Sequence, residues 1–299
     1  MGLTVTTLAL TCFVLLGAGY AVFIGLGRNP RLAPILRDAW PILHSETLIV
    51  GVVAGAFWIG GWVLTIALLA LAWRAGFEAA SVAARRAVLP APVFLGAAIA
   101  FLGLLASLLP MVVVVGAALI LLVACLVIRN SGRTPADSQQ SVGLELAAFP
   151  GLPLIVFTAA GLQGGYGVWL LAAFILVETF DSYALLGGKL FGKTKAFPAL
   201  SPNKTIEGLA LGAAMLMLTA ALAGALLAGL PVLASGGIAL FVGILTVTGD
   251  LAASRAKRRS GVKDYPEILP HQGGLLDITD AWITAGAGLV CLVVLLGLG

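Results

Sequence analysis

Residues 111–128 read Met-Val-Val-Val-Val-Gly-Ala-Ala-Leu-Ile-Leu-Leu-Val-Ala-Cys-Leu-Val-Ile, with Pro110 before them and Arg129 after. The run carries no charge. As a helix it would be about 27 Å long, close to the hydrocarbon thickness of a bilayer. Working outward, the rest of the chain repeats the pattern. Apolar runs cover about 3–27, 47–73, 91–109, 145–162, 166–188, 206–229, 231–250 and 279–298. The fold class read from this is all-α: a polytopic integral membrane protein with about nine transmembrane helices.

Composition agrees. Of 299 residues, 61% are apolar, 17 are Lys or Arg and 13 are Asp or Glu, and the mean hydropathy is +1.11. Such numbers exclude a soluble globular domain, a disordered chain and a disulfide scaffold. Nine spans use roughly 180 residues, so no large extramembrane domain fits. The net charge of +4 does not point to nucleic acid, because basic loops are what membrane topology requires. Cys12, Cys125 and Cys291 lie in apolar runs without CxxC spacing and read as small buried hydrophobes. The first run has no Lys or Arg before Arg28, so it reads as a retained span and not a signal peptide.

Pro110, Gly164–Gly165 and Pro231 mark three tight hairpins, and longer breaks alternate with them at 74–90, 129–144, 189–205 and 251–278. Fourteen of the 17 basic residues fall in these even-numbered loops. The positive-inside rule then predicts cytoplasmic even-numbered loops, a cytoplasmic N-terminus and a C-terminus outside. Arg28, Arg31 and Arg37 in the first loop disagree with this count. The polar stretch 130–141 divides an N-terminal region, 1–143, of about four helices from a motif-rich region, 144–299, of about five.

The chemistry concentrates in the second region. Glu178 and Asp181 interrupt an apolar run at i and i+3, on one helix face. A carboxylate within a span is costly, by roughly 2.5–3.5 kcal/mol on insertion scales, which favours a polar cavity wall over a helix end near the water interface, where the charges would be cheap. Next come Gly187 to Lys193, then Ser201-Pro202-Asn203-Lys204-Thr205-Ile206-Glu207-Gly208. Hydroxyls, free N–H groups and an ammonium at a helix start suit a phosphate. A plain cap would need one such residue, not Lys204 with Lys189, Lys193 and Lys195 nearby. The third cluster holds Asp250, Ser254, Lys257, Arg258, Lys263, Asp264, Pro270, His271, Gln272, Gly273, Gly274, Asp277 and Asp280. Asp250, Asp277 and Asp280 offer hard oxygen ligands for Mg²⁺ beside substrate phosphates. The neighbouring basic residues could balance phosphate charge.

These residues resemble the CDP-diglyceride synthetase family, the phosphatidate cytidylyltransferases. That family's pattern is Ser-x-x-Lys-Arg, four residues, Lys-Asp, then Pro-Gly-His-Gly-Gly-x-x-Asp-Arg-x-Asp. Here Ser254, Lys257–Arg258, Lys263–Asp264 and Pro270 to Asp280 match it without a gap. The upstream Asp, Gly-rich turn and Ser-Pro-x-Lys-Thr-x-Glu-Gly match Asp181, Gly187–Lys193 and Ser201–Gly208. The departures are Gln272 for the family His, Ile278 for its Arg and Pro266 for a small residue. They are similar to a divergent bacterial branch whose motif reads His-Gln-Gly-Gly. Gln cannot take up a proton near neutral pH, and loss of the Arg removes a fixed phosphate clamp.

The resemblance implies CTP plus phosphatidate giving CDP-diacylglycerol plus pyrophosphate, in a bacterial inner membrane. It implies Asp250, Asp277 and Asp280 as metal ligands. It makes Lys257, Arg258, Lys263 and Asp264 catalytic. Asp181, Ser201, Asn203, Lys204, Thr205, Glu207, Gln272, Gly273 and Gly274 become substrate-binding. The implied cofactor is Mg²⁺, with a second monovalent or divalent cation left open. The implied partners are CTP, phosphatidate or a related lipid phosphate, and membrane lipids, without nucleic acid; a homodimer stays open. The competing readings are a cytidylyltransferase or CTP-dependent kinase for another lipid, and a transporter using the acids as an ion path. A transporter predicts acids spread through mid-span and an inverted repeat; here the acids cluster at span ends.

Overall fold

The computed structural model describes residues 4–29, 40–131, 135–268 and 273–298. The helices are α1 Val5–Gly27, α2 Trp40–Ile59, α3 Gly61–Ala83, α4 Pro92–Ala106, α5 Met111–Asn130, α6 Gln139–Leu146, α7 Leu152–Leu162, α8 Gly167–Phe191, α9 Ile206–Ala223, α10 Val232–Arg259 and α11 Leu275–Leu295. One short antiparallel hairpin, β1 Lys195–Phe197 with β2 Ser201–Thr205, precedes α9. Helices α6 and α7 form one span kinked at Phe149, ahead of Pro150, which cannot continue an α-helical ladder. Among the described residues, eight helical stretches are long and apolar enough to cross a membrane, and Leu43–Ile59 and Pro92–Ala106 are shorter apolar helices.

Pro110 and Pro231 stand immediately before α5 and α10, as expected of turn-ending prolines. The apolar run 47–73 departs from expectation. It is two helices, broken at Gly60 and Gly61, whose φ angles are +65° and +52°. A left-handed pair of this kind reverses the chain with no polar residue at the turn. Trp58 and Trp62 flank it, both exposed, where an indole suits a bilayer interface.

That break changes the topology. Thr4 and Val5 of α1, Gly61 and Leu64 of α3, and Gly161 to Gly167 surround one surface depression. Gln163 Nε2 donates to Leu109 O at 2.8 Å on the same face. At the other face Val22 and Phe23 of α1 and Leu43 of α2 lie along Leu186 and Lys189 of α8. Arg86, Asp137, Glu145 and Arg259 form an ion network there, with Arg86 to Asp137 at 2.8 Å. The helix ends flanking residues 28–39, 84–91, 131–138, 192–205 and 260–274 all lie on this second face. All 17 basic residues belong to these connections or to the helix halves leading into them. The expectation that the N-terminus shares the face of the basic loops is therefore corrected. One extra reversal puts the start of α1 opposite, and leaves the end of α1 and the start of α2 on the face of the other basic loops.

Helix α11 is the most enclosed span. Trp282 donates from Nε1 to Leu170 O at 2.8 Å and meets Phe157 and Phe174 edge-on, with ring centres 4.8 and 5.0 Å apart. This contact pins α11 to α7 and α8 at mid-depth. The polar first turns of α11 are thereby fixed against α3 and α10, beneath the basic face.

Candidate active site

The site is assembled where α10 crosses α11. A Cβ on Gly249 would stand 2.8 Å from Asp280 O and 2.6 Å from Thr284 Oγ1. Only glycine permits helices to approach so closely. The next residue, Asp250, is thereby brought within electrostatic reach of Asp280. Asp280 is 4% exposed, and its Oδ1 accepts from Ala281 N at 2.6 Å.

The upstream cluster meets the downstream one at this point. Lys204 Nζ lies 3.0 Å from Asp250 Oδ2. Burial pulls the Lys204 ammonium down, but Asp181, Asp250 and Asp280 outweigh it and hold it above the ordinary lysine value. Asp181, on α8, faces Lys204 and Asp250 electrostatically from the third side. The stretch around Lys204 is not a bare helix start: Ser201 to Thr205 is strand β2, paired with β1 in the register Lys195↔Thr205 and Phe197↔Ser201. Thr205 caps α9 by accepting from Gly208 N at 3.2 Å. Glu207 accepts from Lys193 N at 3.1 Å and Thr194 Oγ1 at 2.8 Å, so its carboxylate holds the preceding turn. Ser201 is half-buried and Asn203 exposed, leaving Lys204 as the member of this motif that reaches the acids.

A second ion pair lies one turn nearer the surface. Lys257, 8% exposed, donates to Asp277 Oδ1, and its Nζ stands 5.3 Å from the Tyr265 ring centre. Asp277 Oδ2 accepts from Tyr265 N at 2.8 Å and Gly274 N at 2.9 Å. The start of α11 is also held by Glu78 of α3, which accepts from Leu275 N at 3.0 Å and Leu276 N at 2.8 Å. Two carboxylates thus close over one helix N-terminus, which favours negative charge. They explain the Gly-Gly pair. Gly273 has φ +78°, and a Cβ on Gly274 would run into Glu78 and Tyr265. Arg74 completes the bracket, pairing with Glu78 at 2.7 Å and donating to Pro266 O at 3.2 Å.

Neither Glu78 nor Tyr265 was expected from sequence. Burial, then Asp280, Asp277 and Glu78, push the Tyr265 hydroxyl upward, so it stays protonated. Among the described residues that hydroxyl has no hydrogen-bond partner. Arg258 is exposed and donates to Val262 O at 3.3 Å. Lys263 and Asp264 are exposed on the following turn. The structure does not bring these three into the buried cluster. Gln272, with His271 beside it, lies outside the described residues.

The three expected metal ligands differ in what they have left to offer. Both oxygens of Asp277 are taken, one by Lys257 and one by two backbone N–H groups. Asp250 Oδ2 is buried and faces Lys204 Nζ at 3.0 Å. Among the described residues no three His, Cys, Asp or Glu side chains gather as a metal-holding group. The pair Asp250 and Asp280 does fit a cation that takes one or two carboxylates and completes its shell with water and phosphate.

The fold and site define a class: a polytopic helical membrane protein with an alternating acid–ammonium cluster sunk below its basic face. A sequence profile of the cytidylyltransferase family matches residues 43–296. The chain belongs to that family. It is 38% identical over 130 residues to the Uncharacterized protein YnbB of Escherichia coli strain K12, covering 44% of this chain and 43% of that one. It is 36% identical over 142 residues to a Phosphatidate cytidylyltransferase of Staphylococcus aureus strain COL, covering 47% and 54%. A Phosphatidate cytidylyltransferase of Brucella abortus biovar 1 strain 9-941 is 38% identical over 152 residues, covering 49% and 54%. The matched region spans about half the length of these curated relatives.

Proposed function

We propose that the protein is a membrane-embedded nucleotidyltransferase that converts CTP and phosphatidate into CDP-diacylglycerol and pyrophosphate. The observation that carries this reading is the half-buried junction of Lys204 with Asp250, beside Asp181 and Asp280. It joins the two motifs shared with phosphatidate cytidylyltransferases. The basic face would be cytoplasmic by the positive-inside rule, in a bacterial inner membrane, so CTP reaches the cluster from the cytoplasm.

The chemistry needs no protein nucleophile. An oxygen of the lipid phosphate attacks the α-phosphorus of CTP and forms the new P–O bond. The bond from that phosphorus to the bridging oxygen breaks, and pyrophosphate leaves with the electron pair. The chain positions the two phosphates and balances their charge. Lys204, held as an ammonium, would bind a phosphate oxygen inside the cluster. Lys257 is oriented by Asp277 and Tyr265 toward the same space, and Arg258 and Lys263 attract triphosphate from the surface. The Tyr265 hydroxyl is a free donor for a phosphate oxygen. Asp250 and Asp280 would hold a Mg²⁺ ion, which when bound neutralises phosphate charge.

Purified protein supplied with radiolabelled CTP, Mg²⁺ and phosphatidate should release labelled CDP-lipid and one pyrophosphate per turnover. Failure with phosphatidate and with a panel of single-chain and polyprenyl phosphates would overturn the reading.

A further inference from the structure

A cavity of about 320 Å³ runs between α1, α2 and α8. It follows α8 from Phe174 to Lys189 and Leu190, and Leu16 and Gly19 of α1 and Val50 of α2 form the opposing wall. Sixteen residues of helix are about 24 Å, more than the roughly 15 Å of one leaflet's hydrocarbon. Apart from Lys189 at the basic face and a few hydroxyls, the charged lining groups are Glu46 of α2 and Glu178 of α8. The two line the same cavity from neighbouring helices. The pair places polar oxygens in an otherwise apolar groove, where a protonated carboxyl can donate and an ionised one accept. Asp181 lies one turn further along α8 and interacts with Glu46 on one side and Lys204 and Asp250 on the other. Asp181 is not in the groove lining, but one turn of α8 separates it from Glu178, so the groove ends close to the acid–ammonium cluster.

We infer that this groove holds an acyl chain of the lipid phosphate, with the Glu46–Glu178 pair taking the ester oxygens just below the headgroup. The inference rests on the proposed reaction and adds where its lipid lies. Three features favour that occupant. The groove is apolar along its length. The turn of helix between Glu178 and Asp181 is about 5 Å, of the order of the step from a lipid's ester oxygens to its phosphate. Lys189 supplies positive charge at the mouth.

Gly19 allows a clean test, because a Cβ there meets nothing within 4 Å. Gly19→Leu starts its side chain in open space at the groove wall and reduces the groove's volume. Turnover is measured with a long-chain phosphatidate and with a dihexanoyl one, at varied CTP. The expected result is a KM for the long-chain lipid raised fivefold or more, with the dihexanoyl kcat/KM and the KM for CTP unchanged. Glu178→Leu should instead raise the KM for both lipids, because both carry the ester oxygens, and Glu178→Gln, which keeps a donor, should restore the wild-type KM for each. A smaller rise for the long-chain lipid in Gly19→Leu overturns the groove assignment, as does an equal loss with both lipids in that variant. Wild-type protein that makes no CDP-lipid from either substrate sinks the proposed reaction instead, so the two failures are distinct.

Discussion

Lys204, in the strand before α9, and Asp250, in α10, form a 3.0 Å ion pair that ties together two motifs 46 residues apart. With one partner gone, the other is left as an unbalanced charge below the membrane surface. Lys204→Met should lower kcat/KM for CTP and lipid phosphate by roughly 10²-fold, the scale of losing one charge-stabilising donor. Lys204→Arg should recover only part of that, since a guanidinium does not replace a point charge. The sign of the pH effect follows from the raised value of Lys204. Its charge is complete below the ordinary lysine pKa of about 10.4 and is lost only as pH rises beyond it. A pH–rate profile of the wild type should therefore show no loss from this group between neutrality and pH 10. An essential base-side loss near neutrality that Lys204→Arg shifts would contradict the assignment.

Mg²⁺ titration separates the three carboxylates. Asp250→Asn and Asp280→Asn should raise the Mg²⁺ concentration for half-maximal turnover by at least about tenfold. Asp277→Asn should lower kcat with an unchanged Mg²⁺ midpoint, because its oxygens serve Lys257 and the start of α11. A midpoint shift in Asp277→Asn comparable to that in Asp280→Asn would return Asp277 to the ligand set.

Span positions were legible because hydropathy sums over some twenty residues and tolerates local error. The hairpin at Gly60–Gly61 escaped that sum, since a glycine pair between Trp58 and Trp62 adds no polarity. Its trace was the misplaced charge of Arg28, Arg31 and Arg37, which one more reversal accounts for. The residues of the buried cluster were legible because each motif is local in the chain. What was hidden is the part built from distance. Glu78 reaches Leu275 and Leu276 across nearly 200 residues. The only local hint was an Arg and a Glu at i and i+4 inside an apolar helix. Glu46 was invisible for the same reason. The roles within the metal trio were equally hidden, because spacing shows that Asp277 and Asp280 share a face and not which oxygens are already taken.

Glu78 is fully buried, and its two oxygens serve Arg74 and two backbone N–H groups. Glu78→Leu leaves the half-exposed guanidinium and both N–H groups unpaired. The expected destabilisation is about 3 kcal/mol, typical of breaking a buried pair from one side. Thermal unfolding in detergent, followed by the loss of the monodisperse peak, measures it. Arg74→Leu should cost less, because the backbone donors keep the carboxylate satisfied. Equal melting temperatures for Glu78→Leu and wild type would show that α11 does not depend on this cap.

The corrected topology makes the two chain ends a direct test. The start of α1 and the end of α11 both lie on the face opposite the basic loops, so under the positive-inside rule both should be outside the cytoplasm. Fusions of alkaline phosphatase at either end should be active, and fusions of green fluorescent protein at either end should be dark. A cysteine replacing Asp137, which is exposed on the basic face, should be protected from a membrane-impermeant maleimide in intact cells and labelled after permeabilisation. The substitution spares Glu145, which also pairs with Arg86, Arg129 and Arg259, so the network should hold. A bright fluorescent fusion at the N-terminus with a dark one at the C-terminus would mean an odd number of crossings. Residues 47–73 would then be a single span, and the Gly60–Gly61 reversal would be wrong.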